Sequence, residues 1–185
     1  MNIGYIASTI IAGIFLISLI ALNLRVSQNS GEQTLYIMAK IQNELVVDMF
    51  KHDLRSMGYR IDSGSPIVAA TTDSLKFQVH FEGNENPTEI GWKFDSDSGS
   101  SNANSNTRSL YRTVNGEEER ISSVVSRFEL EYLNADREVL NPVMIPVSQI
   151  HQIRLTLVTE STEGYGNEKF GRSFWTGELS PHNLN

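Results

Sequence analysis

Met1 to Leu24 contain no charged side chain, and this run constrains the fold more than any other feature of the sequence. Nearly every residue from Ile3 onward in it is apolar or small. The hydrocarbon core of a membrane is about 30 Å thick, and about 20 such residues in a helix cross it at 1.5 Å each. The sequence therefore predicts a single transmembrane helix over residues 1–25.

An apolar N-terminal run can also be a cleaved secretory signal or a buried core helix, and both fit this sequence less well. A cleaved signal begins with Lys or Arg, has a shorter apolar stretch and ends at an Ala-x-Ala site, and none of these is recognisable here. A core helix of a soluble protein usually keeps one polar face, which this run lacks. We therefore expect the helix to be retained as a membrane anchor.

Beyond the apolar run the sequence becomes amphipathic, which predicts a helical stem over residues 26–58. Gly58, with Arg55 in the preceding turn, is a typical C-terminal cap. Ser27 to Gly31 either break the helix or only weaken it, since a helical glycine costs about 1 kcal/mol relative to alanine. The apolar stripe needs a partner, which is either the chain's own sheet or neighbouring chains. Its recurring positions are Leu35, Met38, Ile41, Leu45, Met49 and Leu54, joined by Ile37, Val46 and Phe50.

Residues 59–185 show the two-residue alternation of strands that bury one face, as in Leu75, Phe77, Val79 and Phe81. We predict an antiparallel β domain of five or six strands, and therefore an α+β fold for the whole chain. The pair at 115–116 (Asn-Gly) predicts a tight turn. Ile121 to Val125 fit either a short helix or the start of a strand. The remaining strands are expected at 90–94, 109–114, 128–132, 153–157 and 169–176.

The segment from residue 95 to 107 is rich in Ser, Asn and Asp and has almost nothing to bury, which predicts a mobile loop. Asp95, Asp97 and Gly99 resemble part of a calcium-binding loop. That loop needs a third ligand before its glycine and a Glu at its twelfth position, where this chain has Asn106. We interpret the segment as a polar loop and leave ion binding open.

The residues give no sign of catalysis or of nucleic-acid binding. The net charge is −7 and no Lys/Arg cluster provides a track for phosphates. The absence of cysteine excludes disulfides, thiolate metal sites and cysteine nucleophiles. We interpret Asp48 and His52, four residues apart on one helix face, as a solvent-facing pair rather than a metal or catalytic dyad. The four histidines share no ligand spacing; they are His52, His80, His151 and His182.

No phosphate-binding glycine loop, zinc-binding His-Glu-x-x-His or nucleophile elbow is present. We therefore predict no catalytic residue, no cofactor, no metal and no small-molecule substrate. The acidic run from Glu117 to Glu119 is interpreted as a solvated turn, with a docking patch as the alternative. Trp92 and Trp175 fall on strands and are interpreted as packing residues.

Four short segments, the first of which ends the amphipathic helix, resemble the minor pilins and pseudopilins of type IV pilus and type II secretion systems, specifically their larger J- or W-type subunits. The helix of that family commonly ends in an Asp-Leu-Arg-x-x-Gly-Tyr-like stretch, and its later strands carry Leu-Tyr-Arg-like and Phe-x-x-x-Tyr-like segments. The segments here are Asp53-Leu-Arg-Ser-Met-Gly-Tyr59, Arg108-Ser-Leu-Tyr-Arg112, Phe128-Glu-Leu-Glu-Tyr132 and Ile153-Arg-Leu-Thr-Leu157. The resemblance implies a pilin-like fold.

The resemblance also implies a processing junction and a packing surface at the start of the helix. Gly4 followed by Tyr5 is the candidate junction, although no basic leader precedes it. The fifth residue from there is Thr9, where the family usually has Glu. The candidates for close helix packing are the small residues Ala7, Ser8, Ala12 and Gly13.

The function implied by the resemblance is structural: a non-catalytic subunit that assembles through its N-terminal helix with other pilin or pseudopilin subunits. Such a subunit builds or primes a type IV pilus, a type II secretion machine or a DNA-uptake pseudopilus. It crosses the bacterial inner membrane once, with its C-terminal domain outside the cytoplasm, although Arg25 taken alone favours the opposite orientation. The alternative is a single-pass, extracytoplasmic binding or sensing module unrelated to pili.

Overall fold

The computed structural model describes residues 3–61, 65–83, 86–95, 103–141, 145–165, 169–181 and 183. Over these residues the chain forms one long helix followed by a seven-stranded antiparallel sheet. This is the α+β fold that the sequence predicts, with the helix first and the sheet after it.

Helix α1 runs unbroken from Ile3 to Ser56, a length of 54 residues and about 80 Å. Gly31 lies inside it, so the polar segment before this glycine does not interrupt the helix. The helix ends where the sequence predicts. Gly58 takes a φ of 73°, and its N–H donates to the carbonyl oxygen of Gln78 at 3.0 Å, which ties the end of the helix to the sheet.

The strands lie side by side in chain order, and each one pairs antiparallel with the next. Antiparallel neighbours can be joined by tight turns, as between the fourth and fifth strands, but 13 residues separate the third strand from the fourth and 18 separate the fifth from the sixth. Their bounds are β1 (Ile67–Ala70), β2 (Ser74–Val79), β3 (Thr88–Phe94), β4 (Arg108–Val114), β5 (Glu117–Leu133), β6 (Gln152–Tyr165) and β7 (Lys169–Leu179).

The predicted strand count of five or six was too low, because the residues of β1 carry no clear strand signal. This strand has four residues, two of them alanines, and its pairing with β2 is interrupted by a bulge after Ile67. Alanine has little preference for strands. Residues 121–125, which fit either a helix or a strand, belong to β5.

The turn between β4 and β5 confirms the prediction made from the Asn-Gly pair. Asn115 has a φ of 51° and Gly116 a φ of 87°. Two central residues with positive φ define the type I′ turn, which matches the twist of a hairpin.

Part of the polar segment that follows β3 is buried, contrary to the prediction of a loop with almost nothing to bury. Residues 96–102, which include Asp97 and Gly99, lie outside the described part of the chain. The end of the segment is folded against the sheet, since Asn104 and Thr107 are fully buried. The prediction of a mobile loop is therefore wrong for 103–107, because polar side chains there are buried through hydrogen bonds rather than through apolar contact.

The core lies between the second half of α1 and one face of the sheet, with Phe50 at its centre. The Phe50 ring meets Trp92 edge-to-face at 5.3 Å and Phe128 at 5.9 Å between centroids. Trp92 is buried, as predicted for a packing residue. Trp175 is partly buried and has the Lys51 Nζ 4.9 Å from its ring centroid.

Candidate functional site

The stem half of α1 carries two apolar faces, of which the sheet covers one. The covered face contains Ala39, Asn43, Val46, Val47, Phe50, Asp53 and Leu54. Their spacing of three and four places them on one side of the helix. Apolar residues between them fall on the other side and are left for another partner.

The outward apolar face consists of Met38, Ile41, Leu45 and Met49, and we call it the outer stripe. These side chains are 55%, 50%, 57% and 40% exposed. Each follows the previous one by three or four residues, so together they form one continuous strip along the helix. Of the nine stripe positions predicted from the sequence, Val46, Phe50 and Leu54 face the sheet. These four and Ile37 are exposed, and Leu35 is partly buried.

The first half of α1 is long and apolar enough to cross a membrane once. Its most apolar 18 residues have a mean hydropathy of 2.4, and none of them is buried. Two of its hydroxyl groups are satisfied within the helix. Thr9 donates to the carbonyl oxygen of Tyr5, and Ser18 donates to that of Ile14 at 2.9 Å. This segment therefore presents no unpaired hydroxyl from these two residues to lipid, where an unpaired polar group is costly.

The residues singled out near the N-terminus all lie in this first half. Gly4 and Tyr5 are in the first turns of α1 and are exposed. Ser8 and Ala12, four residues apart, share one face of the helix, and Ala7 is exposed on another. A Cβ atom added at Gly13 would meet no described atom within 4 Å. The chain itself therefore leaves this surface open.

A buried ion pair fixes the far end of α1 on the sheet. The Asp53 carboxylate, 3% exposed, accepts from Arg112 Nε at 2.7 Å and from Arg112 Nη2 at 2.9 Å. The Trp92 indole N–H donates to the same carboxylate at 2.8 Å. The hydrogen bond to Asp53 raises the pKa of Arg112 above its ordinary value, against the effect of burial. Two of the segments that carry the pilin resemblance, one in α1 and one in β4, thus meet here.

Polar contacts in the middle of α1 fix its register on β6 and β7. Thr159 Oγ1 donates to the carbonyl oxygen of Ala39 at 2.8 Å. The Asn43 side-chain amide donates to the carbonyl oxygens of Leu157 and Ser173, both at 3.4 Å. This contact was not predicted, although Asn43 is a polar residue at an apolar spacing on the helix. These bonds fix which face of α1 points outward.

β7 lies directly against α1 at Gly171. A Cβ atom at this position would come within 2.5 Å of the Leu35 carbonyl carbon and 2.6 Å of the Tyr36 nitrogen. Only glycine permits such an approach between two main chains. Nearby, the Tyr165 hydroxyl donates to Glu32 Oε1 at 3.0 Å, which marks where α1 enters the domain.

Glu160 forms a second buried polar cluster beside the helix. Its carboxylate accepts from Asn104 Nδ2 at 2.9 Å and from Arg172 Nε at 2.9 Å. The Asn104 amide also donates to the Ser161 carbonyl oxygen at 3.2 Å. Burial by itself would raise the pKa of Glu160, but the hydrogen bonds from Asn104 and Arg172 outweigh it and hold that pKa below its ordinary value of 4.5. The folded end of the 95–107 segment is therefore anchored to β6.

Replacement of Glu160 by glutamine is expected to lower the free energy of unfolding by about 1 kcal/mol near pH 7. A carboxylate with a lowered folded pKa stabilises the protein above its unfolded pKa, and this contribution is lost as the pH falls through the folded value. The difference between wild type and Glu160→Gln should therefore shrink below about pH 5. Urea unfolding of both proteins at several pH values measures this difference. A difference that stays constant down to pH 3 would contradict a lowered pKa for Glu160.

A groove of about 430 Å³ lies between α1 and the sheet, next to the outer stripe. Met38 and Ile41 of α1 line it on the helix side, Ile121 and Val124 of β5 line it on the sheet side, and Glu160 of β6 also contributes to the lining. The groove continues the apolar surface of the outer stripe onto the domain. A partner lying along α1 would therefore contact the sheet as well as the helix.

The described residues show no arrangement suited to metal chemistry. Among them, no group of three or more His, Asp or Glu side chains is placed to hold a metal ion. Asp97 and Gly99 of the calcium-like pattern lie outside the described ranges. The main chemical feature of the described surface is thus the apolar area that α1 leaves uncovered.

Fold and site together define a class: a chain with one N-terminal helix able to cross a membrane and an antiparallel α+β domain clamped to the second half of that helix. The chain matches no protein-family model and no curated protein.

Proposed function

We propose that this protein is a membrane-anchored, non-catalytic, pilin-like subunit that assembles through α1 with other pilin or pseudopilin subunits. The observation that carries the proposal is the 54-residue helix with its first half uncovered and an outer stripe continuing the apolar surface along the second half. Such a surface suits helices that lie side by side from the membrane outward. In this proposal the anchor crosses the bacterial inner membrane and the sheet lies outside the cytoplasm, in a type IV pilus, a type II secretion machine or a DNA-uptake pseudopilus.

The way in which the domain holds α1 supports an assembly role for the helix. The contacts of Asp53, Asn43 and Thr159 keep α1 in one orientation on the sheet. The outer stripe is therefore presented in a fixed direction, which a subunit needs if it is to pack against its neighbours in a regular way.

Photo-crosslinking from the outer stripe tests the proposal. A photoreactive benzoylphenylalanine is introduced genetically in place of Leu45 in the source cells, and in place of Glu44 as the matched control, so that only the chosen position carries the probe. Glu44 lies one residue away on the charged face, and its side chain is 63% exposed. We expect the Leu45 probe to capture proteins with their own N-terminal apolar helix at least about five times more efficiently, because the outer stripe faces the partner helices.

Equal capture from both positions, or no capture of helix-anchored proteins, would contradict the proposal. That result would favour the second candidate, a single-pass module that binds or senses an extracytoplasmic ligand. The 430 Å³ groove beside Met38 and Ile121 is the observation in its favour.

The mass of the mature protein gives an independent test of the pilin assignment. Intact mass and N-terminal sequencing of protein from native membranes show where the chain starts. A start at Tyr5 with a methylated amine supports cleavage after Gly4 by a prepilin peptidase. A start at Met1 favours the independent membrane-bound module.

A further inference from the structure

One edge of the domain lies close to the apolar half of α1. At this edge the ends of β6 and β7 meet the helix, and Tyr165 bonds to Glu32 at 3.0 Å. A cleft of about 420 Å³ opens there, lined in part by Asn29, Tyr36 and Phe170. We call these five residues the proximal edge. The rest of the sheet extends from it toward the other end of α1.

The helix geometry fixes how far the proximal edge stands from a membrane that α1 crosses. The uncharged run ends at Leu24, and α1 continues unbroken through Asn29 to Glu32. At 1.5 Å per residue, Asn29 lies about 7 Å and Glu32 about 12 Å beyond the end of the run. The headgroup layer on each side of a bilayer is about 5–8 Å thick. Asn29 therefore lies at the outer limit of that layer, and Glu32 lies about 4 Å beyond it.

The side chains of the proximal edge suit such a position. Tyr36 is 50% exposed, and Tyr165 and Phe170 are partly exposed. Tyrosine side chains with an apolar ring and a polar tip are enriched at the membrane–water boundary. Asn29 and Glu32 supply groups that can hydrogen-bond to headgroups.

We propose that the proximal edge stands at the outer boundary of the headgroup layer and that the phospholipid headgroups beneath it reach into its cleft. This proposal rests on the membrane anchorage in the proposed function, but it does not require pilin partners. The domain would then stand directly on the membrane surface rather than on a flexible stalk.

Fluorescence quenching in nanodiscs tests the proposal. The full chain is reconstituted in phosphatidylethanolamine and phosphatidylglycerol containing a phosphatidylcholine with a nitroxide on its headgroup. A fluorophore is placed on Lys169→Cys at the start of β7, next to Tyr165. The matched control is Asp136→Cys, in the exposed turn after β5 at the opposite end of the sheet. We expect about threefold quenching at position 169 and none at 136.

Two further variants make the result decisive. A label on Phe15→Cys, in the middle of the apolar half, should be quenched by nitroxides on the acyl chains; absence of that quenching would refute the membrane anchorage itself. Insertion of seven helical residues between Ser30 and Gly31 should lift the domain by about 10 Å and abolish quenching at position 169. Quenching at Phe15→Cys together with none at position 169 would overturn the proposal and leave the anchor intact.

Discussion

Replacement of Asp53 by alanine is expected to lower the free energy of unfolding by about 3–5 kcal/mol, enough to unfold most of a marginal domain. The carboxylate is almost completely buried and is shared by the Arg112 guanidinium and the Trp92 indole N–H. Its loss leaves a cation and a donor without their acceptor. Urea unfolding of the full chain in detergent micelles, followed by circular dichroism and tryptophan fluorescence, measures the change.

A double-mutant cycle separates the ion pair from simple loss of packing. Arg112→Met should also be strongly destabilising, because it leaves the Asp53 carboxylate buried without its cation. The double variant Asp53→Ala/Arg112→Met should lose less stability than the sum of the two single variants, since neither charge remains. Asp48→Ala, at an exposed position on the same helix, is the control and should change stability by less than about 0.5 kcal/mol. A loss below about 1 kcal/mol for Asp53→Ala would refute the importance of the pair.

Gly171→Val is expected to destabilise the domain by about 3 kcal/mol, at the top of the usual range for overpacked sites. The obstructing atoms belong to the main chain at Leu35 and Tyr36, so no side chain can rotate away to make room. α1 must therefore separate from β7. Faster amide hydrogen exchange in α1 around Ala39 and Asn43 should accompany the lower unfolding free energy.

Gly31→Ala provides the matched control in the same chain. This glycine lies in α1 next to Glu32, but a Cβ atom there would meet no described atom within 4 Å. Removal of a helical glycine should stabilise α1 by up to about 1 kcal/mol. If Gly171→Val and Gly31→Ala changed stability in the same direction, the close approach of β7 to α1 would not explain the effect of Gly171→Val.

Features that depend on neighbouring residues were predictable from the sequence. The apolar run and the spacing of three and four predicted α1, and Gly58 predicted its end. Alternation predicted six of the seven strands, and the pair Asn115-Gly116 predicted the hairpin turn between two of them. In each case the signal lies within a few residues of the structure that it predicts.

Features that depend on distant residues were not predictable. Asp53 and Arg112 are separated by 59 positions, and Asn104 and Glu160 by 56. Periodicity showed that α1 has apolar faces, but it did not show which one the sheet would cover. That choice depends on Asn43 and its bonds to β6 and β7, which form only when the chain is folded.

The unbroken course of α1 through Gly31 links the rotation of the domain to the rotation of the anchor. The helix contains no joint between Leu24 and Glu32, and the contacts at Asp53 hold its other end on the sheet. Each residue of a helix turns it by about 100°. The face of the first half that packs against a neighbour in the membrane thus determines how the sheet outside the membrane is rotated about the helix axis. Deletion of a single residue in the polar segment before Gly31 would turn the whole domain by nearly a third of a circle while leaving both halves intact.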